Sequence, residues 1–103
     1  MTYQVEVTPT ARDALAAITD KRIQRNIYNR LLRLENDPDK QGEPLAADLE
    51  GYRSVRAANE RFRIIFRIKA EERVVSVEFV GIRREGSKSD VYVLFSKLID
   101  LEP

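Results

Sequence analysis

The chain has 103 residues, 18 Lys+Arg against 17 Asp+Glu, 43% hydrophobic residues, and no Cys, His or Trp. That length suits one domain over residues 1–103, burying roughly 65% of the surface its unfolded chain exposes. The missing residue types exclude disulfides, thiolate or imidazole metal sites, Cys or Ser/His triads and imidazole acid–base chemistry, so any catalysis falls to Arg, Lys, Tyr or carboxylates.

The formal charge of +1 conceals a segmental pattern: residues 1–34 carry +3, residues 35–50 carry −5, residues 51–92 carry +4 and the last eleven carry −1. Basic groups gathered in one part of the chain leave an anionic partner open where uniform neutrality would argue against it. Nothing resembles a run of about 20 apolar residues, and residues 1–9 alternate and carry Glu6 where a secretory leader would be basic and then apolar. A soluble cytoplasmic protein with no membrane contact is expected.

Tyr3, Val5 and Val7 alternate with Thr2, Gln4 and Glu6, which predicts a strand with one buried face. Thr8 is placed to cap the helix that follows, and Pro9 falls in its first turn, where a missing N–H costs nothing. Ala11, Ala14, Leu15 and Ile18 then recur at helical spacing. Asp20 is a second cap. Beyond it Ile23, Ile27, Leu31 and Leu34 form an apolar stripe flanked by Arg22, Arg25, Arg30 and Arg33, predicting a second helix to about Asn36.

Residues 36–51 hold two of the four prolines and two of the four glycines, which makes this acidic stretch the longest loop, tacked to the core by Leu45 and Leu49. Three strands follow, at 52–57, 61–69 and 74–82, joined by turns at 58–60 and 70–73. Leu94, Phe95, Leu98 and Ile99 supply the apolar side of a short last helix capped by Ser89 or Asp90, although residues 91–95 also suit a strand. The order β-α-α-β-β-β with a short C-terminal helix is an α+β fold. Two helices pack on one face of an antiparallel sheet that the N-terminal strand completes, and the other face is partly solvated.

Period-two geometry sorts the central strand. Phe62, Ile64, Phe66 and Ile68 face the core, while Arg61, Arg63, Ile65 and Arg67 face the open side. In the preceding strand Val55 belongs to the core, and Tyr52, Ser54 and Arg56 to the open face. A hairpin between the two brings Arg56 beside Arg63, and like charges directly opposed destabilise a sheet unless carboxylates or an anionic ligand lie close. Spacing alone leaves two readings of this cationic stripe: a solvated face paired by carboxylates of the acidic loop, or a phosphate-binding surface. Gly81, near a strand end, suggests a bulge or bend that re-aims Arg83 toward the same arginines. Read blandly, residues 83–90 are a polar turn and Tyr92 is a residue at the core's edge.

Taken together, Gly51-Tyr52-Arg53-Ser54-Val55-Arg56, then Arg61-Phe62-Arg63-Ile64-Ile65-Phe66-Arg67-Ile68, and Val80-Gly81-Ile82-Arg83 leading to Val91-Tyr92, resemble the RelE/ParE superfamily of type II toxin–antitoxin toxins. The likeness covers nearly the whole chain and is strongest in the central hairpin. It implies a RelE-like fold, no cofactor, and a cognate antitoxin that blocks a cationic site. RelE-type members are metal-independent endoribonucleases that cut mRNA, commonly on the ribosome; ParE-type members share the fold and poison DNA gyrase instead.

Carried over by position, the resemblance makes Arg63 the group that stabilises charge on the transition-state phosphate and Arg56 a neighbour that binds phosphate or shifts the 2′-hydroxyl toward its ionised form. It makes Arg83 the contact to the scissile phosphate or leaving group, and Tyr92 the late tyrosine that stacks a base or assists proton transfer. Arg53, Arg61, Arg67 and Arg84 are auxiliary RNA-binding candidates. RelE-type sites often carry lysines where this chain has Arg53, Ser54 and Arg56. Arginine stays protonated, so a general-base role does not transfer to Arg56. The stretch between Arg83 and Tyr92 is a few residues longer than usual in the family. The expected activity is an mRNA endoribonuclease. The alternatives are a gyrase poison and an inactive member that serves only as antitoxin partner or co-repressor subunit.

Overall fold

The computed structural model describes residues 2–100. Strand β1 (Gln4–Val7) leads into helix α1 (Pro9–Ala16) and helix α2 (Lys21–Leu32), which a short 3₁₀ turn, Arg33–Glu35, extends close to the expected end. Both caps form as the residue types dictate. Thr8 Oγ1 accepts from the Ala11 N–H at 3.1 Å, and Asp20 Oδ1 accepts from Arg22 and Ile23. Strands β3 (Arg53–Ala57), β4 (Phe62–Lys69) and β5 (Val74–Ile82) form the antiparallel meander, and helix α3 (Val91–Asp100) closes the described chain. The helical reading of the last segment holds, and the strand alternative falls.

Two features of the sheet differ from expectation. β1 lies beside β5 and runs parallel to it, so the sheet is mixed, with the order β1-β5-β4-β3-β2. Alternation marks a strand but not its direction. A parallel neighbour needs only a long crossover, and α1, α2 and the meander supply one. The acidic loop also contributes a two-residue strand, β2 (Glu43–Pro44), on the free edge of β3. Gly42 allows this close approach: its φ is +66°, and a Cβ there would overlap the Ser54 carbonyl oxygen.

The core has two parts, one on each face of the sheet. Under α1 and α2 lie Val55, Phe62, Ile64, Phe66, Val75, Val77 and Val80 with Ala11, Ile27, Leu31 and Leu34. On the opposite face α3 seats Val91 and Phe95 against Ile65 and Leu49, with Leu45, Tyr52 and Phe79 around them. Leu45 and Leu49 thus tack down the acidic loop as expected. Ile65, expected among the arginines on the open side, is fully buried. α3 therefore covers part of the face expected to be solvated.

A bulge serves this second core. Ile65 pairs with Phe79 but Phe66 with Val77, which leaves Glu78 as the extra residue of β5. The inserted residue shifts the alternation, so that Phe79 turns to α3 while Val80 returns to the main core. The bulge therefore lies at Glu78 and not at Gly81. Close packing is what requires a glycine at position 81, where a Cβ would sit 2.9 Å from Val91 Cγ2 and 3.1 Å from Val91 Cβ. Gly81→Ala is expected to cost about 1–3 kcal/mol through overpacking against a fully buried neighbour, read as a lower urea midpoint at unchanged m.

Candidate functional site

The β3–β4 register places Arg56 directly opposite Arg63. The turn between them is wound unusually tightly, with Ala58, Asn59 and Glu60 at φ 48°, 58° and 65° and the Ala58 N–H held by Asn26 Oδ1 at 2.9 Å. Non-glycine residues seldom occupy this left-handed region, and three in succession mark a strained hairpin tip. The winding returns Glu60 over its own strands. Its carboxylate meets Arg56 at 3.1 Å, and its carbonyl accepts from Arg63 at 2.6 Å. The opposed charges are thereby offset from within the turn, not by the acidic loop. The Arg56–Glu60 pair is exposed and worth at most about 1 kcal/mol. Among the described residues no carboxylate pairs with Arg63, whose donors reach only the carbonyls of Glu60 and Phe62.

Arg83 follows the end of β5, and its backbone N–H is anchored on the Arg61 carbonyl at 2.8 Å. One arm of its guanidinium donates to Asp90 Oδ1 at 2.7 Å, the other to Glu85 at 3.0 Å, and its centre lies 5.0 Å from the Tyr92 ring centroid. Tyr92 in turn shares a 2.8 Å hydrogen bond with Ser54 Oγ. Asp90 is buried at 2% exposure and accepts the backbone N–H groups of Arg84 at 2.6 Å and Tyr92 at 3.1 Å.

Burial opposes the Asp90 charge. The Arg83 hydrogen bond and the two backbone N–H groups outweigh it and hold the carboxyl below its ordinary value of 3.8, while the same hydrogen bond raises Arg83. A carboxyl lowered by folding contributes stability that is present above the ordinary value and lost as pH falls through the lowered one. The melting-temperature difference between the wild type and Asp90→Asn is therefore expected to be largest near pH 7 and to shrink as pH falls below 3.8.

These groups share one cleft of about 630 Å³, lined by Arg56, Arg63, Arg83, Tyr92 and Ser54 together with Arg30, Glu43, Leu45 and Glu85. The four residues expected at the centre of the site are thus brought together. Arg30 and Glu43 were not anticipated. Arg30 sits in the last turn of α2 and donates to Gln41 at 2.8 Å, while Gln41 caps the carbonyls of Arg33 and Asn36. Burial and the neighbouring Arg33 lower the Arg30 pKa. Helical spacing had placed Arg30 on a flank, with nothing to say that the flank borders β3.

The four auxiliary arginines do not line this cleft. Arg53 donates to the carbonyls of Gln41 and Gly42 and so ties β2 to β3. Arg67 lies over Tyr52 at 5.9 Å, on a ring that itself packs edge-on against Phe95. Arg61 stands at the hairpin tip with its carbonyl bound to Arg83, and the Arg84 backbone serves Asp90. The cleft thus gathers four guanidiniums, those of Arg30, Arg56, Arg63 and Arg83, with one phenol, that of Tyr92, on a small α+β sheet.

A family model described as the ParE toxin of the type II toxin–antitoxin system parDE matches residues 5–86. The chain belongs to that family of type II toxin–antitoxin toxins, within the RelE/ParE superfamily. Among solved structures, the RelBE2 toxin–antitoxin complex from Mycobacterium tuberculosis is similar at 30% identity and a TM-score of 0.72, over 81% of this chain and 100% of that one. A double arginine mutant of E. coli RelE in the free state aligns over 99% of this chain and 100% of that one, at 14% identity and a TM-score of 0.73. The ParDE system from P. aeruginosa aligns at 17% identity and a TM-score of 0.65, over 79% and 96%. The last two share the fold. Comparison with curated proteins finds no match.

Proposed function

We propose that this toxin is a metal-independent endoribonuclease that cleaves mRNA on the ribosome. The observation that carries the reading is the convergence of Arg56, Arg63, Arg83 and Tyr92 in one cleft. Cleavage of RNA by its own 2′-oxygen concentrates negative charge on phosphorus oxygens, and fixed guanidiniums aimed at them lower the barrier where that charge develops. Arg63 is the best placed for this, because no carboxylate already holds it among the described residues. Arg56 and Arg83 grip the same phosphate, and Tyr92 offers a base-stacking ring. With arginines in place of a strong general base, orientation by the ribosome supplies much of the barrier reduction.

The cationic cleft also suits an acidic antitoxin segment that folds onto it, consistent with the similarity to toxin–antitoxin complexes such as RelBE2. The second reading is a DNA gyrase poison, favoured by the match to the ParE model. Primer extension on cellular messages shortly after induction separates the two. New in-frame ends support the nuclease; growth arrest with intact messages supports the gyrase poison; unimpeded growth marks an inactive member.

A further inference from the structure

We propose that Asp90 is a positioning residue for the cleft, holding Arg83 and Tyr92 in their working geometry through a single buried carboxylate. The inference rests on the reading of the cleft as the toxic site. The Asp90 oxygens hold three donors from two pieces of chain, residues 83–84 and residue 92. Oδ1 accepts from the Arg83 guanidinium at 2.7 Å and from the Arg84 N–H at 2.6 Å, and Oδ2 accepts from the Tyr92 N–H at 3.1 Å. Arg83 is thus clamped at its side chain, and the first turn of α3 is clamped at the residue that bears the phenol. Tyr92 then carries the arrangement to β3 through Ser54 at 2.8 Å.

Glu85 also reaches Arg83, at 3.0 Å, but its side chain is 86% exposed and solvent screens it. Asp90, at 2% exposure, keeps its hold. Arg83 itself retains 29% side-chain exposure, and the arm held only by the exposed Glu85 is the one an anionic ligand takes over by displacing that carboxylate. A guanidinium fixed on one arm, with the other held only by a displaceable exposed carboxylate, meets a phosphate in a set orientation, with less ordering left to do on binding.

The test combines growth arrest, which does not presuppose nuclease or gyrase, with a spectroscopic signature of Arg83. The induction dose for half-maximal arrest is measured for wild type, Asp90→Asn, Arg83→Ala and the double variant. Asp90→Asn is expected to weaken the toxin tenfold or more, yet to change Arg83→Ala by less than twofold, because the two residues act through one group. In the ¹⁵N spectrum of the full-length wild type, the Arg83 Nη signals are expected to be split by slow rotation. The splitting should survive Glu85→Gln and vanish in Asp90→Asn.

An Asp90→Asn protein that is folded and fully toxic beside a non-toxic Arg83→Ala overturns the proposal, as do additive effects in the double variant. Should Asp90→Asn fail to fold, freely rotating Arg83 signals in the wild type overturn it without any variant. A fully toxic Arg83→Ala would instead reject the reading of the cleft, and the Arg83 signals would still report whether the clamp exists.

Discussion

Arg63→Ala is expected to lower RNA cleavage by about 10²- to 10³-fold, the usual cost of removing one preorganised donor from a developing oxyanion, and with it to abolish growth arrest. The fold should survive. Arg63 is only half-buried, and its donors serve carbonyls of its own turn, which water can satisfy in its absence. Removing one of two directly opposed cations also relieves repulsion with Arg56. An unchanged or slightly raised melting temperature beside lost cleavage ends in primer extension would separate chemistry from folding. A variant that keeps full toxicity would remove Arg63 from the site.

Ile65→Ala tests the second core. On an open sheet face the substitution would fall within about 0.5 kcal/mol of neutral. Ile65 instead has no exposed surface and packs against Val91, Phe95 and Leu49, so its truncation is expected to cost about 2–5 kcal/mol by chemical denaturation. The loss should reach beyond stability. Val91 belongs to the helix that carries Tyr92, and a loosened α3 frees the phenol from Ser54. Ile65→Val, which keeps most of the contact, is expected to cost only about 0.5–1.5 kcal/mol and to retain toxicity.

The central hairpin was the most legible part of the chain. Alternation in β4 separates Phe62, Ile64 and Phe66 from Arg63 and Arg67, and the hairpin sets Arg56 against Arg63, both of which stand in the structure. The connection is four residues, 58–61, one longer than the turn at 58–60 read from the sequence, and that length is what opposes the two arginines. The requirement for glycine at position 81 is tertiary. A glycine near a strand end suggests a bend, yet the residue that matters to it is Val91, ten positions on, and only packing reveals that. Asp90 was legible as a helix cap but not as the partner of Arg83, since its second role depends on how residues 83–90 fold back. Arg53 and Arg67 share the charge and strand spacing of the cleft arginines. They end elsewhere because one sits at the β2 edge and the other beyond the ring of Tyr52.

By itself the sequence determined the local elements: capped helices after Thr8 and Asp20, the periodicities of two and 3.6, the absence of His and Cys, and the chain positions of the basic residues. These follow from backbone sterics and side-chain hydrogen bonding within a few residues. The tertiary structure alone decided that β1 runs parallel to β5, that α3 covers Ile65, and that Arg30 from α2 joins Arg83 from beyond β5 in one cleft. Each depends on contacts between segments far apart in the chain. Strand direction, sheet-face coverage and convergence of side chains are set by how whole surfaces pack, and no local pattern encodes that.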